Sequence, residues 1–146
     1  MNEELKQIKR FHGHLGPYAV IGYRMGKLAN RMLGEDPFTK RAIVWNGTTP
    51  PLSCIIDGLQ LASGCTLGKG NITVHSDGIT KARFINKSGK SIEISLKSAV
   101  KNDIDTTVTE KNMIGFSEKL YQRPDNELFD IELSEIVEAS FDSTVK

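Results

Sequence analysis

Between Tyr18 and Gly34, apolar and small residues recur every three or four positions, at Ile21, Gly22, Met25, Leu28, Ala29 and Met32. Arg24, Lys27, Asn30 and Arg31 fall off that stripe, which predicts a helix with one face turned to a core. Gly22 and Gly26 narrow what can lie beside it. A glycine inside a helix costs up to ~1 kcal/mol relative to alanine, so two in one helix imply a strand or second helix packed unusually close.

The rest of the chain is organised around that element. Leu5, Ile8 and Phe11 predict a short amphipathic helix that stops at His12-Gly13-His14-Leu15-Gly16-Pro17. Pro17 disfavours helix at Gly16 and suits the first turn of the long helix. Arg41–Trp45 reads as a buried strand, a second helix is expected from about Ser53 to Ser63 with Gly64 as its stop, and a strand at Ile72–His75. Ala82, Phe84 and Ile85, then Ser88-Gly89-Lys90, then Ile92, Ile94 and Leu96 describe an antiparallel hairpin. Thr107-Val108-Thr109-Glu110 has the form of a capping box for a helix carrying Met113, Phe116, Leu120 and Tyr121, which Pro124 ends. Leu128, Phe129, Ile131 and Leu133 add a short strand, and Ser134–Lys146 reads as a peripheral segment. The expectation is a single α+β domain over 1–146, with its core at about 5–133 and helices on one face of a largely antiparallel sheet.

Composition sets the functional class. The chain has 146 residues, 19 Lys+Arg against 18 Asp+Glu, 38% apolar residues and two cysteines. That balance excludes disorder, and the net charge of +1 offers no general attraction to nucleic acid or an anionic membrane. No apolar run approaches the ~20 residues of a membrane span, and Met1–Arg10 lacks a secretory core, so a cytoplasmic protein is expected. In a reducing compartment two cysteines are thiols, available as ligands or nucleophiles.

The reactive side chains collect in His12-Gly13-His14 and in Cys54 through Asn71. Imidazole and thiolate suit zinc and its neighbours better than magnesium or calcium. His12 and His14 converge only if the chain leaves the helix between them, because residues two apart on a helix point away from each other. Cys54 and Cys65 are separated by ~16 Å if the intervening segment is helical, which forbids both a disulfide and a shared ion within one chain. At the start of the helix Cys54 is expected to have a lowered pKa, which makes it the better ligand or nucleophile, with His14 as partner and Asp57 one turn on. Gly64-Cys65-Thr66-Leu67-Gly68-Lys69-Gly70-Asn71 departs from a phosphate-binding loop in spacing and in its helix-to-strand order. Thr66, Lys69 and Asn71 remain candidates for substrate contact, Lys69 as an ion-pair partner for an anionic group.

Phe11-His12-Gly13-His14-Leu15-Gly16-Pro17, Gly22-Tyr23-Arg24, Cys54-Ile55-Ile56-Asp57-Gly58-Leu59-Gln60 and the Gly64–Asn71 string together resemble the E-subunit family of formylmethanofuran dehydrogenase, over about residues 5 to 100. The resemblance implies association with an enzyme complex that fixes carbon dioxide onto methanofuran, whose redox chemistry belongs to other subunits. It marks His14, Cys54 and Cys65 as metal-site or active-site positions, with His12 and Asp57 nearby. Zinc is the first choice of metal, with nickel or iron as the others. The family often has cysteine before the proline, where this chain has Gly16, and some relatives carry a C-terminal zinc ribbon that this chain lacks. An incomplete ligand set leaves room for water or substrate. A homodimer would let Cys65 of one copy approach Cys54 of the other, and larger dehydrogenase subunits are the other expected partners. Two alternatives remain: a metal-free thiolate enzyme using Cys54 and His14, and a non-catalytic scaffold.

Overall fold

The computed structural model describes residues 1–135. Its elements in chain order are α1 (Glu3–His12), α2 (Pro17–Leu33), a 3-10 turn, β1 (Lys40–Val44), α3 (Cys54–Ser63), β2 (Ile72–Val74), β3 (Lys81–Asn86), β4 (Lys90–Leu96), α4 (Ser98–Thr107), α5 (Met113–Gln122), α6 (Asp125–Leu128) and β5 (Phe129–Glu135). The strands form one sheet in the order β2-β1-β3-β4-β5, antiparallel except for the β1–β2 pair. This is the expected α+β architecture. Ala42, Val44, Ala82, Phe84, Ile92 and Ile94 share the fully buried face of the sheet. Alternate positions such as Arg41, Ile43, Arg83 and Glu93 are only half-buried, as the two-residue period of a strand requires.

The glycines of α2 and α3 decide how the two helices meet. A Cβ on Gly22 would stand 1.9 Å from the carbonyl oxygen of Ile55, and one on Gly58 would stand 1.8 Å from that of Ala19. The two backbones therefore touch through glycine on both sides, and the close neighbour implied by Gly22 and Gly26 is a helix. Gly22 lies against Ile55, while Gly26 lies against Ala62 and Ser63. The helices thus run in the same sense, and their N-termini come together at one end of the layer.

Three expectations about the second half are corrected. Thr107 does not open a helix; it closes α4, a ten-residue helix that the sequence pattern did not predict because Val100 and Ile104 are its only buried apolar residues. The following helix begins at Met113, after a turn in which Asn112 and Thr109 bond each other, the Thr109 N–H donating to Asn112 Oδ1 at 2.7 Å. Ser134 and Glu135 are part of β5, and the remainder of the expected peripheral segment, 136–146, lies outside the described residues.

One charged cluster ties the long helix to this second half. Arg24 donates to Asp125 Oδ1 at 2.9 Å and to the Tyr121 carbonyl, while Arg31 reaches Asp125 Oδ2. Despite partial burial, which acts in the other direction, bonds from the two guanidinium groups hold the Asp125 carboxyl below its ordinary value. Asp125→Asn is expected to cost about 2 kcal/mol, because Arg24 would be left half-buried without its counter-ion. A carboxyl with a depressed folded pKa contributes its full stability above the unfolded value of about 4 and loses it as pH falls through the lower folded value. The difference between wild type and variant in urea denaturation should therefore be constant from pH 7 to about 5 and shrink below about 4.

Candidate functional site

A cavity of about 390 Å³ opens where the N-termini of α2 and α3 meet. His12, His14 and Cys54 are on its wall, together with Tyr18 and Asp105 and with the apolar residues Pro17, Pro50, Pro51, Ile104, Val108 and Met113. The imidazole and the thiol expected to share a cleft do share one.

Local chain geometry brings the histidines together. His12 is the last residue of α1, and Gly13 follows with φ +104°, a left-handed conformation that ends the helix and turns the chain. The rings of His12 and His14 consequently stand 5.0 Å apart, centre to centre. Gly16 makes room for this: a Cβ there would lie 3.0 Å from His14 Cε1. On its other side His12 Nδ1 is 2.6 Å from Asp57 Oδ2, reaching the carboxylate that α3 presents one turn after Cys54. A contact through Nδ1 leaves Nε2 as the ring nitrogen not engaged by the carboxylate, the arrangement by which acidic groups orient metal-binding histidines. Asp57 is thus a positioning residue for His12.

Cys54 differs from expectation in one respect. Its thiol pKa is raised, chiefly by burial and further by the Asp57 charge. The Cys54 backbone N–H acts in the lowering direction but is outweighed, and the N–H groups of Cys54, Ile55 and Ile56 also donate to the carbonyls of Pro51, Leu52 and Ser53. A helix terminus attracts an anion through unsatisfied donors, and here the preceding turn shares them. The thiol is therefore neutral at pH 7 unless a cation draws off its proton, which weakens the metal-free nucleophile alternative.

The other residues named from sequence lie elsewhere. Cys65 is fully buried past the far end of α3, with its backbone N–H donating to Ser63 Oγ at 3.0 Å. It lines neither the cavity nor the surface, and it cannot reach Cys54 of a second copy without opening the core. Thr66, Lys69 and Asn71 occupy the same remote loop and brace it. Asn71 Oδ1 accepts from the Thr66 N–H at 2.8 Å, its amide donates to the carbonyls of Pro37 and Lys40, and Lys69 Nζ donates to Thr66 Oγ1. They lie away from the cavity, and Asn71 anchors the loop to the segment before β1. Tyr18 and Asp105 are the cavity residues that sequence reasoning missed. Tyr18 entered only as the start of the long helix, and Asp105 sits on the unpredicted α4.

As the side chains stand, no three His, Cys, Asp or Glu groups among the described residues are gathered closely enough to hold an ion. By donor type, His12 and His14 are the residues on this wall that could hold one. Imidazole and thiol together are the donor types of a borderline-soft metal, and Cys54 lines the same wall.

Comparison with known proteins assigns the class. Residues 11–130 match the family described as FmdE, molybdenum formylmethanofuran dehydrogenase operon, and the chain belongs to that family. A tungsten formylmethanofuran dehydrogenase FmdE-like protein from Syntrophus aciditrophicus has a similar fold, with a TM-score of 0.70 over 97% of this chain and 75% of that one, at 22% identity. A probable S-adenosyl-L-methionine-binding protein from Archaeoglobus fulgidus is 36% identical over 70 residues, which are 47% of this chain and 19% of that protein. The chain thus spans only about a fifth of that relative. No helix among the described residues is long and apolar enough to cross a membrane.

Proposed function

We propose that the cavity is a combined metal and small-molecule site in which His12, His14 and Cys54 supply the donor atoms. Zinc is the preferred ion, with nickel or iron as alternatives. The chain then acts as an accessory subunit of a formylmethanofuran dehydrogenase-like complex or as a stand-alone metal-dependent enzyme of one-carbon or redox metabolism, in the cytoplasm. The observation that carries this reading is the 2.6 Å contact between His12 Nδ1 and Asp57, which orients one imidazole beside a second on a wall shared with Cys54.

An ion held there would supply Lewis acidity toward a carbonyl, or activate water near neutral pH. The chain's own contributions are separate from that. Asp57 orients the His12 ring, the apolar wall formed by Pro17, Pro50 and Met113 limits water, and a burial that keeps Cys54 protonated gives way once a cation is its neighbour. A homodimer, or docking onto larger dehydrogenase subunits, belongs to the same proposal, with Cys65 no longer a ligand across the interface because it is buried.

Elemental analysis of protein purified without a histidine tag tests the reading. The expected result is close to one equivalent of zinc, nickel or iron, reduced about tenfold or more in Cys54→Ser and in His14→Ala. Less than about a tenth of an equivalent in wild type, unchanged in Cys54→Ser, overturns it.

A further inference from the structure

We propose that the free edge of β5 is a docking strand for a separate partner protein, one that adds an extended segment in which a cationic residue stands between two apolar ones. The inference rests on the partner docking included in the functional proposal and gives it a surface, but β5 shares no residue with the cavity wall and its docking does not depend on a metal.

The exposed positions of β5 define that pattern. In the order β2-β1-β3-β4-β5 this seven-residue strand is the outer one, and β4 pairs with only one of its sides. Alternate residues of an edge strand turn their N–H and C=O groups outward, so the far side offers a partner backbone a row of donors and acceptors. Ile131 and Leu133 stand opposite Ile94 and Ile92 and share their core face, yet they are 40% and 57% exposed, so the apolar face of the sheet continues beyond its cover. Met32 near the end of α2 is exposed as well, and with Leu133 it lines a groove of about 310 Å³. Between Ile131 and Leu133, on the opposite face, is Glu132, directly across from Glu93. Like charges in that position repel, and the cation beside them is spent, because Arg83 donates to Glu93 at 2.7 Å. Asp130 has Lys97 at 3.1 Å, whereas no salt bridge among the described residues reaches Glu132.

Charge decides which occupant fits. A strand added beside β5 places one side chain next to Glu132 and that residue's two neighbours next to Ile131 and Leu133, so the complementary triplet is apolar, cationic, apolar. A second copy does not supply it. Its own β5 would bring Asp130 and Glu132 against the same carboxylates, and its other edge strand, β2, is the three residues Ile72–Val74, without a cation. Residues 136–146 are no better matched, since their charged residues are Glu138, Asp142 and Lys146, two carboxylates for one cation. Charge complementarity therefore points to a segment of another protein. The backbone pairing would supply affinity without regard to sequence, which leaves selection to the side chains beside Ile131, Glu132 and Leu133.

The probe is a synthetic heptapeptide in which lysine alternates with valine, titrated into isotope-labelled full-length protein in about 0.15 M salt and followed by NMR. It should bind with a Kd below about 1 mM, move the amide resonances of residues 130–135 most, and give cross-strand contacts to β5. Glutamate in place of lysine should weaken binding at least about tenfold. Methylation of the peptide's backbone nitrogens, which keeps the charge and removes the strand pairing, should do the same. In Glu132→Lys the order of the lysine and glutamate peptides should reverse. No shift at β5 up to about 5 mM lysine peptide, or equal binding of the two peptides, overturns the inference in the wild type alone. A methylated peptide that binds as tightly as its parent reduces the effect to surface attraction and overturns the docking strand. A lysine preference that persists in folded Glu132→Lys overturns the assignment to Glu132. Cross-strand contacts in the free protein, from β5 to residues 136–146 or to β5 of a second copy in a mixed-label sample, would show the edge already filled and overturn the separate partner. The titrations contain no metal, so their outcome and that of the metal analysis are distinguishable.

Discussion

Gly58→Ala is expected to remove more than about 3 kcal/mol of stability, enough to unfold a large fraction of a marginally stable domain. The added methyl would sit 1.8 Å from the Ala19 carbonyl oxygen and 2.6 Å from the Tyr23 nitrogen, both of them backbone atoms of α2 that no rotamer change can move aside. Relief requires the helices to separate, and every contact along the α2–α3 interface is weakened at once. Gly115→Ala in α5 is the control, since nothing lies within 4 Å of its added Cβ. It should be neutral or stabilising by up to about 1 kcal/mol, the helix preference of alanine over glycine. Urea denaturation of both variants measures the contrast. A Gly58→Ala protein within about 1 kcal/mol of wild type would mean that the helices are not in backbone contact.

The second large effect concerns the site rather than the scaffold. Asp57→Asn is expected to weaken zinc binding about 10- to 100-fold while leaving the fold intact, because it removes the carboxylate that orients His12. The side chain of Asp57 is 39% exposed, so the loss is not one of core packing. Competition with a chromogenic chelator measures the affinity, and circular dichroism checks the fold. In His12→Ala, adding Asp57→Asn should cost nothing further, since the carboxylate acts through the imidazole it holds. Unchanged affinity in Asp57→Asn would remove His12 from the ligand set.

The two effects have a common structural origin. Close approach through Gly22 and Gly58 aligns the starts of α2 and α3, and that alignment puts Cys54 and Asp57 beside the turn carrying His12 and His14. Loosening the helices would therefore disturb the site before any ligand is changed. A Gly58→Ala protein that still folds should bind metal less well than its residual stability alone would suggest.

Much of this was legible in the chain. The helical stripe of α2, the hairpin of β3 and β4 and the helix from Cys54 to Ser63 follow local periodicity, which reports directly on which side of an element is buried. The pairing of His12 and His14 was conditional on a break at Gly13, and its left-handed φ provides that break. The cleft shared by His14 and Cys54 was also anticipated. The α4 helix was not, because two buried apolar residues in ten leave little periodic signal. Its Asp105 could not be seen as part of the cavity, since a carboxylate on an exposed helix has no local mark distinguishing it from solvated surface.

Other errors came from treating local chemistry as if it acted alone. A cysteine at a helix start suggests a lowered pKa, but burial and the Asp57 charge outweigh its backbone N–H, and Pro51, Leu52 and Ser53 share the other donors there. The Gly64–Asn71 string offered candidates for substrate contact, and its structural part, the Asn71 amide tying Pro37, Lys40 and Thr66 together, was not visible in the sequence. In both cases the groups were correctly identified and their hydrogen-bond partners were not.

By itself, the sequence determined the α+β class, the two reactive stretches, the separation of Cys54 from Cys65 and the need for a close neighbour along α2. Backbone periodicity, helix rise and the absence of a side chain at Gly22 and Gly26 are properties of nearby residues. Only the tertiary structure decided that the neighbour is α3, that Asp57 holds His12, that Cys65 is sealed in the core and that Asp105 with Tyr18 closes the cavity. Those facts depend on contacts between residues 33 to 87 positions apart, and at that range what a residue touches is set by how whole elements pack rather than by its neighbours in the chain.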